Sequence, residues 1–292
     1  MNRFATLLIG FALLPTVAAS AQYVRPELLV EPAELAKPEV AADFIILDVR
    51  SQAAYDQSHI PGARRVDHDV WKAAFDDGDD AGAWSQRIGA LGIDADANVV
   101  VYDDAALKNA ARIWWLLRYW GVDNARLLNG DWQTWTADGL PVTRDVPDPA
   151  TAAVFGASPV ADRLLFKDEL LDLLGGGQLQ VIDSRSEGEF CGTTALKNKR
   201  AGAIPGAVHL EWSDLIDGES HRFKPAGQMQ SLLDEAGIDL ARPLTTHCQS
   251  GGRASVMVFA LELMGADDVS NYYKGWSEWG NEADTPIEPG VK

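Results

Sequence analysis

Phe44-Ile45-Ile46-Leu47-Asp48-Val49-Arg50 returns later in this chain as Leu179-Gln180-Val181-Ile182-Asp183-Ser184-Arg185. Each copy is a short, mostly apolar run that ends on an aspartate and an arginine, as a buried strand does where it leaves its sheet. His59-Ile60-Pro61-Gly62-Ala63 recurs as Ala203-Ile204-Pro205-Gly206-Ala207, and the strand pattern from Asn98 to Asp103 recurs from Leu244 to Cys248. Trp132 and Trp135 recur as Trp276 and Trp279. These later matches are offset by 144 or 145 residues and the first by 135, so about nine residues are inserted before the second Ile-Pro-Gly-Ala. So long a period excludes a solenoid and reads as a duplicated domain.

Within each copy, short apolar strands alternate with helical stretches such as Ala105 to Trp120 and Gly252 to Met264. Strands that are apolar throughout, rather than alternating, predict a mostly parallel sheet with helices on both faces, an α/β fold. The expected organisation is a first domain over 26–145, a linker over 146–160 and a second domain over 161–288. The linker is marked by Pro147, Pro149 and Pro159 and by little periodicity. Ligands of open α/β sheets bind at the carboxyl ends of the strands.

Cys248 falls at such an end, within Thr246-His247-Cys248-Gln249-Ser250-Gly251-Gly252-Arg253-Ala254-Ser255. A cysteine in a glycine turn that opens a helix lies among unpaired backbone N–H groups and the positive end of the helix dipole. Both stabilise a thiolate and any anion on or near the sulfur. Gln249 to Ala254 supply the N–H donors, Gly251 and Gly252 let the backbone wrap, and Arg253 adds a permanent charge. Ser250 and Ser255 read either as extra hydroxyl donors or as turn and cap residues.

Asn2-Arg3, the apolar stretch Phe4 to Leu14 and Ala19-Ser20-Ala21 compose an expected secretory signal peptide over 1–21. Export follows, to the periplasm in a Gram-negative cell and to the medium otherwise, with no stable membrane association. The 292 residues carry a net charge of −18, and loss of Arg3 with the leader makes it −19. Such acidity argues against nucleic acid as a partner, and an anionic substrate then needs a local positive field. Two cysteines are too few for a disulfide framework, and no histidine or cysteine pair has metal-ligand spacing. No cofactor is implied, and a monomer is the default for a chain whose halves bury each other.

The two-domain layout, both Ile-Pro-Gly-Ala motifs, the Asp-Ser-Arg strand end and the Cys248–Arg253 loop resemble the tandem-domain sulfurtransferases of the rhodanese family, over about residues 26 to 288. The resemblance implies that Cys248 takes the outer sulfur of a small anionic donor such as thiosulfate and becomes a persulfide. Cyanide or a thiol, which includes that of a thioredoxin-like protein, then accepts the sulfur. It also implies an inactive first domain, and Asp103 indeed stands where Cys248 stands in the second. A carboxylate carries no transferable sulfur, so the first copy is expected to wall an interdomain cleft, with Arg112 a candidate to face it and Trp114 and Trp115 in the core.

Two departures bear on the donor. The thiosulfate branch has cations where this chain has Gln249 and Ser250, and an arginine near Glu189. Ser250 and His59 match the mercaptopyruvate branch, where with an acid, here Asp56, they polarise substrate. The arginine missing at Glu189 also serves the carboxylate of mercaptopyruvate, and Cys-Gln-Ser-Gly-Gly-Arg resembles the loops of less specialised rhodaneses, so the balance favours a thiosulfate-type or protein-persulfide donor, with 3-mercaptopyruvate as the alternative. Among accessory residues, Asp183 and Arg185 are expected to brace the loop, with Arg185 also a candidate substrate contact. His247 should pack on the opposite face of its strand. Lys197, Lys199 and Arg200 read as a positive rim or a solvated charge run. Cys191, in the inserted segment, is a candidate for a reversible disulfide with Cys248. Phosphatases and arsenate reductases also close a cysteine loop with an arginine, but only four residues separate Cys248 from Arg253, one fewer than the phosphatase signature. A non-catalytic binding module is the remaining alternative.

Overall fold

The computed structural model describes residues 22–75 and 80–290, so the expected leader lies outside the described residues. Five strands, β1 (Leu29–Val30), β2 (Ile45–Asp48), β3 (Arg64–Arg65), β4 (Val99–Tyr102) and β5 (Ala125–Leu128), form one parallel sheet in the order β1-β5-β4-β2-β3. Four more, β6 (Gln180–Asp183), β7 (Val208–His209), β8 (Leu244–His247) and β9 (Val269–Tyr272), form a second parallel sheet, β7-β6-β8-β9. The order β5-β4-β2-β3 thus repeats as β9-β8-β6-β7. Even β1 leaves a trace in the second copy, a single parallel bridge from Leu164 to Asn271 on β9. The α/β reading of the sequence holds.

Both faces of each sheet are covered, which is why the strands are apolar throughout. On β4, Val99 and Val101 point into a cluster that runs from one domain into the other, while Val100 and Tyr102 point into a separate outer cluster. The helix Lys108–Tyr119 of the first copy packs against Gly252–Leu263 of the second. Every residue of the latter except Arg253 is buried, as its nearly all-round apolar sequence requires. Trp114 meets Phe259 edge-on with ring centroids 4.8 Å apart, and Trp115 stacks on Tyr273 at 5.0 Å.

Polar contacts lock the halves at the rim. His221 Nδ1 lies 2.8 Å from a carboxylate oxygen of Asp131, and the Phe223 amide donates to Asn129 Oδ1 at 3.0 Å. Residues 146–160 hold no helix or strand, yet they are not loose. Phe155 is buried, and the amides of Ala153, Ser158 and Val160 donate to Gly89, Trp120 and Tyr119. Those acceptors are carbonyls at helix C-termini, which have no partner inside their own helix. Among the described residues, no helix is long and apolar enough to cross a membrane.

Candidate active site

The Cys248 loop is shaped by glycines. Gly251 has φ +80°, and a Cβ there would overlap the Tyr273 ring; one on Gly252 would sit 2.6 Å from an Arg112 guanidinium nitrogen. Gly275, with φ 56° and ψ −144°, lies so close that a Cβ would overlap the Cys248 carbonyl. Such dihedrals are essentially restricted to glycine. From this bend the Trp276 amide donates to Cys248 O at 2.8 Å and the Ser277 amide to Gln249 O at 2.9 Å. The backbone of Cys248 is therefore fixed from behind, and the first turn of Gly252–Leu263, whose leading N–H groups have no partner within the helix, begins directly after the loop.

Cys248 is only 2% exposed. Arg253 lies beside it, and its guanidinium interacts with the sulfur by field and hydrogen bond. Arg253 also grips Glu189 with two bonds, 2.6 and 2.9 Å. Burial opposes the guanidinium charge, but the Glu189 bonds and the Cys248 sulfur outweigh it and raise its pKa. Burial likewise opposes ionisation of Glu189, but Arg253 and Ser186 outweigh it and hold the carboxyl below its ordinary value. Glu189, read from sequence as a lost arginine, is thus the anchor of the loop's own arginine.

Gln249 and Asn198 exchange side-chain bonds at 2.9 and 3.1 Å, so the inserted segment is pinned to the loop. Ser250 lines the cleft, whereas Ser255 donates to Gly251 O at 2.8 Å inside the helix and has a structural role. Arg185 lies buried on Asp183 at 2.5 Å, donates to Gly202 O at 2.7 Å and covers the Trp276 ring at 4.1 Å. It braces the loop and does not line the cleft. Arg50 repeats this arrangement on Asp48, Ser58 O and Trp132. His247 is fully buried, and burial, ahead of the nearby charges, pulls its pKa down to about 4. It is a packed, neutral histidine.

Other accessory expectations are corrected. His59 is buried, stacked 3.8 Å from Tyr55, with Nδ1 at 2.9 Å from Tyr55 O and Nε2 at 3.2 Å from Asp145 O. Asp56 is exposed and bonded to Gln52. Neither lines the cleft, because their Ile-Pro-Gly-Ala turn packs against the strap at Thr143 instead. Cys191 ends a short helix, is half-buried and lies outside the cleft lining, and both cysteines are free. Arg200 is consumed by the carbonyls of Trp279 and Thr285, and Lys199 by that of Asn281, so they form no rim to the site.

The cleft itself, about 480 Å³, lies between the domains. The first domain contributes His68, Lys72, Lys108, Asn109 and Arg112, and the second adds Leu196 and Trp212 beside the loop. A larger cavity of about 750 Å³ opens near Arg118, Arg163 and Glu262. It touches the starts of β8 and β9, the end of a parallel sheet that does not carry ligands.

In the first copy, Asp103 occupies the position of Cys248. One carboxylate oxygen accepts from the amides of Ala105 and Leu107 at 3.1 and 3.0 Å, and the other from Asn109 and Ala110 at 2.7 and 2.9 Å. Trp132 N donates to Asp103 O at 2.8 Å, as Trp276 N does to Cys248 O.

Comparison with known proteins gives this geometry its context. The family model for the rhodanese-like domain matches twice, over residues 31–138 and 166–282. The chain belongs to the rhodanese-like family. It is 35% identical over 268 residues to a thiosulfate sulfurtransferase of Azotobacter vinelandii, covering 89% of this chain and 97% of that one. It is 31% identical to the sulfur carrier protein TtuD of Thermus thermophilus, covering 92% and 99%. Among solved structures it is similar to YnjE, with TM-score 0.83, 26% identity and coverage of 93% of this chain and 70% of that one.

Sequence reasoning about this rhodanese-like chain missed His68, Lys72, Lys108, Leu196 and Trp212, all in the cleft lining. It also missed Gly275, which the repeat aligns with Asp131, a residue that likewise has a positive φ. The spacing of Lys108 and Arg112 was readable as one helix face, but nothing local reveals which partner that face meets.

Proposed function

We propose that this chain is a sulfurtransferase that moves sulfane sulfur from thiosulfate through a Cys248 persulfide. The single observation that supports this most is Cys248 at the end of β8, beside Arg253 and the start of a buried helix, on a cleft lined with cations. The thiolate attacks the outer sulfur of thiosulfate. A new S–S bond forms, the old one breaks, and sulfite leaves with the bonding electron pair. The persulfide anion is then held by helix N–H groups and the guanidinium, with no general base needed. A thiophilic acceptor, cyanide or a thiolate, attacks the terminal sulfur and restores the Cys248 thiolate.

Thiosulfate is favoured over 3-mercaptopyruvate because His59 and Asp56 stand apart from Ser250 and from the cleft. Intact-mass measurement after exposure to each donor tests this. The expected result is one added sulfur from thiosulfate, removed by cyanide and absent in Cys248→Ser. An unchanged mass, or a gain that survives in Cys248→Ser, would refute it. Export of the mature chain belongs to the same proposal. It predicts an N-terminus at Gln22 for protein recovered from outside the cytoplasm.

A further inference from the structure

We infer that the distal anionic end of the donor is bound by the first domain, through Lys72, Lys108 and Arg112, rather than by the loop that carries the nucleophile. This deepens the thiosulfate reading and rests on it for the identity of the anion.

Charge comes first. The cleft lining holds four permanent or ordinary cations, Lys72, Lys108, Arg112 and Arg253, against one carboxylate, Glu189. That carboxylate is bound by Arg253. Among the described residues, no carboxylate pairs with Lys72, Lys108 or Arg112. Among the described residues, the lining cations without a carboxylate partner therefore all belong to the first domain, on a chain whose overall charge of −18 repels anions. The loop side chains contribute none of it: Gln249 is bound to Asn198, and Ser250 is neutral.

Placement is the second argument. His68 and Lys72 lie four residues apart on the helix His68–Ala74, and Lys108 and Arg112 four apart on Lys108–Tyr119. Each pair shares one helix face. Lys108 is the first residue of its helix, where a cation opposes the dipole, and such a local conflict marks a functional position.

Unfilled donors are the third. Arg112 is 6% exposed; Nη1 donates to the Tyr273 hydroxyl at 2.5 Å, Nη2 lies against Gly252, and Nε has no partner. His68 Nε2 is also buried and unpartnered. Both atoms belong to residues of the cleft lining, where a bound anion or a water can supply the partner that the protein does not. Burial, followed by the field of Arg112 and with a smaller share from Lys72, depresses the His68 pKa against the opposing contact with Asp69.

The test compares alkylation of Cys248 by iodoacetate, an anion, with that by neutral iodoacetamide. In Lys72→Gln/Lys108→Gln, both changes being at partly or fully exposed positions, the iodoacetate rate should fall about tenfold relative to iodoacetamide. KM for thiosulfate should rise by a similar factor and much more than kcat falls. Lys197→Gln, outside the cleft, should leave the alkylation ratio as it is. An unchanged ratio and an unchanged KM in the double variant, with sulfur still added to Cys248, overturn this inference and leave the donor reading standing. A fallen ratio in a protein that gains no sulfur from thiosulfate supports the anion site and overturns the donor reading instead.

Discussion

Asp103 and Cys248 end equivalent strands, receive the same backbone clamp from a following tryptophan, and each precede a helix of 12 residues. They differ in what fills the space at the helix start. In the first domain the carboxylate is its own anion, held by four amides. In the second, the shorter cysteine side chain stands in that place. Strand end, tryptophan clamp and helix start are thus shared by both halves, and what differs is the side chain set before the helix amides. The cations follow the same division. Arg253 is committed to Glu189 next to Cys248, while Lys108 and Arg112 of the first domain line the cleft from the other side.

Copying the first half into the second breaks the comparison most severely. In Cys248→Asp, sulfur uptake should fall by at least about a thousandfold, since the nucleophile is gone. Thermal unfolding should stay cooperative, with the new carboxylate capped by the helix amides as Asp103 is. A variant that fails to fold would mean that the second cradle is not shaped for an anion. The glycine bend gives the next effect. Gly275→Ala should destabilise by about 2–4 kcal/mol and misplace Cys248, because its Cβ overlaps the Cys248 carbonyl. Gly206→Ala, at φ +75° with nothing within 4 Å, should cost about 1 kcal/mol. Chemical denaturation of the two variants side by side reads the difference.

The duplicated α/β architecture was legible because parallel strands buried on both faces leave continuous apolar runs, and because Asp48–Arg50 and Asp183–Arg185 repeat one local device. The Cys248 loop was legible for the same reason: strand end, glycine turn and helix start are all local. Glu189 and Arg112 were not. Glu189 is 64 residues from Arg253, and Arg112 reaches a tyrosine 161 residues away, so their meaning arises only when the sheet edges and the domains meet. His59 misled because a motif position was carried over without the strap that packs over it, with Thr143 and Asp145 closing its surroundings.

Separating the arginine from its anchor sharpens the comparison further. Glu189→Gln leaves the Arg253 charge partly buried without a carboxylate, at an expected loss of about 1–2 kcal/mol, below the full value for a wholly buried pair. The pH profile distinguishes this from lost packing. Because Glu189 is held below its ordinary 4.5 in the folded chain, its contribution is complete above that value and is lost as pH falls through the lower, folded one. The wild type should therefore converge on Glu189→Gln in acid. A gap that stays constant through the whole acid limb, down to where the folded carboxyl is protonated, would assign the effect to shape rather than charge.

The smallest effect lies in the first domain. Burial, ahead of the opposing amide bonds, pushes the Asp103 carboxyl up to about 6, and the Asp131 charge adds to the rise. The folded chain then binds this proton more readily than the unfolded one, whose value is near 3.8. Ionisation at neutral pH consequently opposes folding, and that opposition fades as pH falls through 6 towards 3.8. Relative to Asp103→Asn, which does not titrate, the wild type should gain about 1 kcal/mol between pH 7.5 and pH 5 in urea unfolding. A gain in the opposite direction would mean that the four amides outweigh burial. The first domain's cradle would then be a stronger anion site than its burial suggests, and the contrast with the Cys248 loop would rest on the side chain alone.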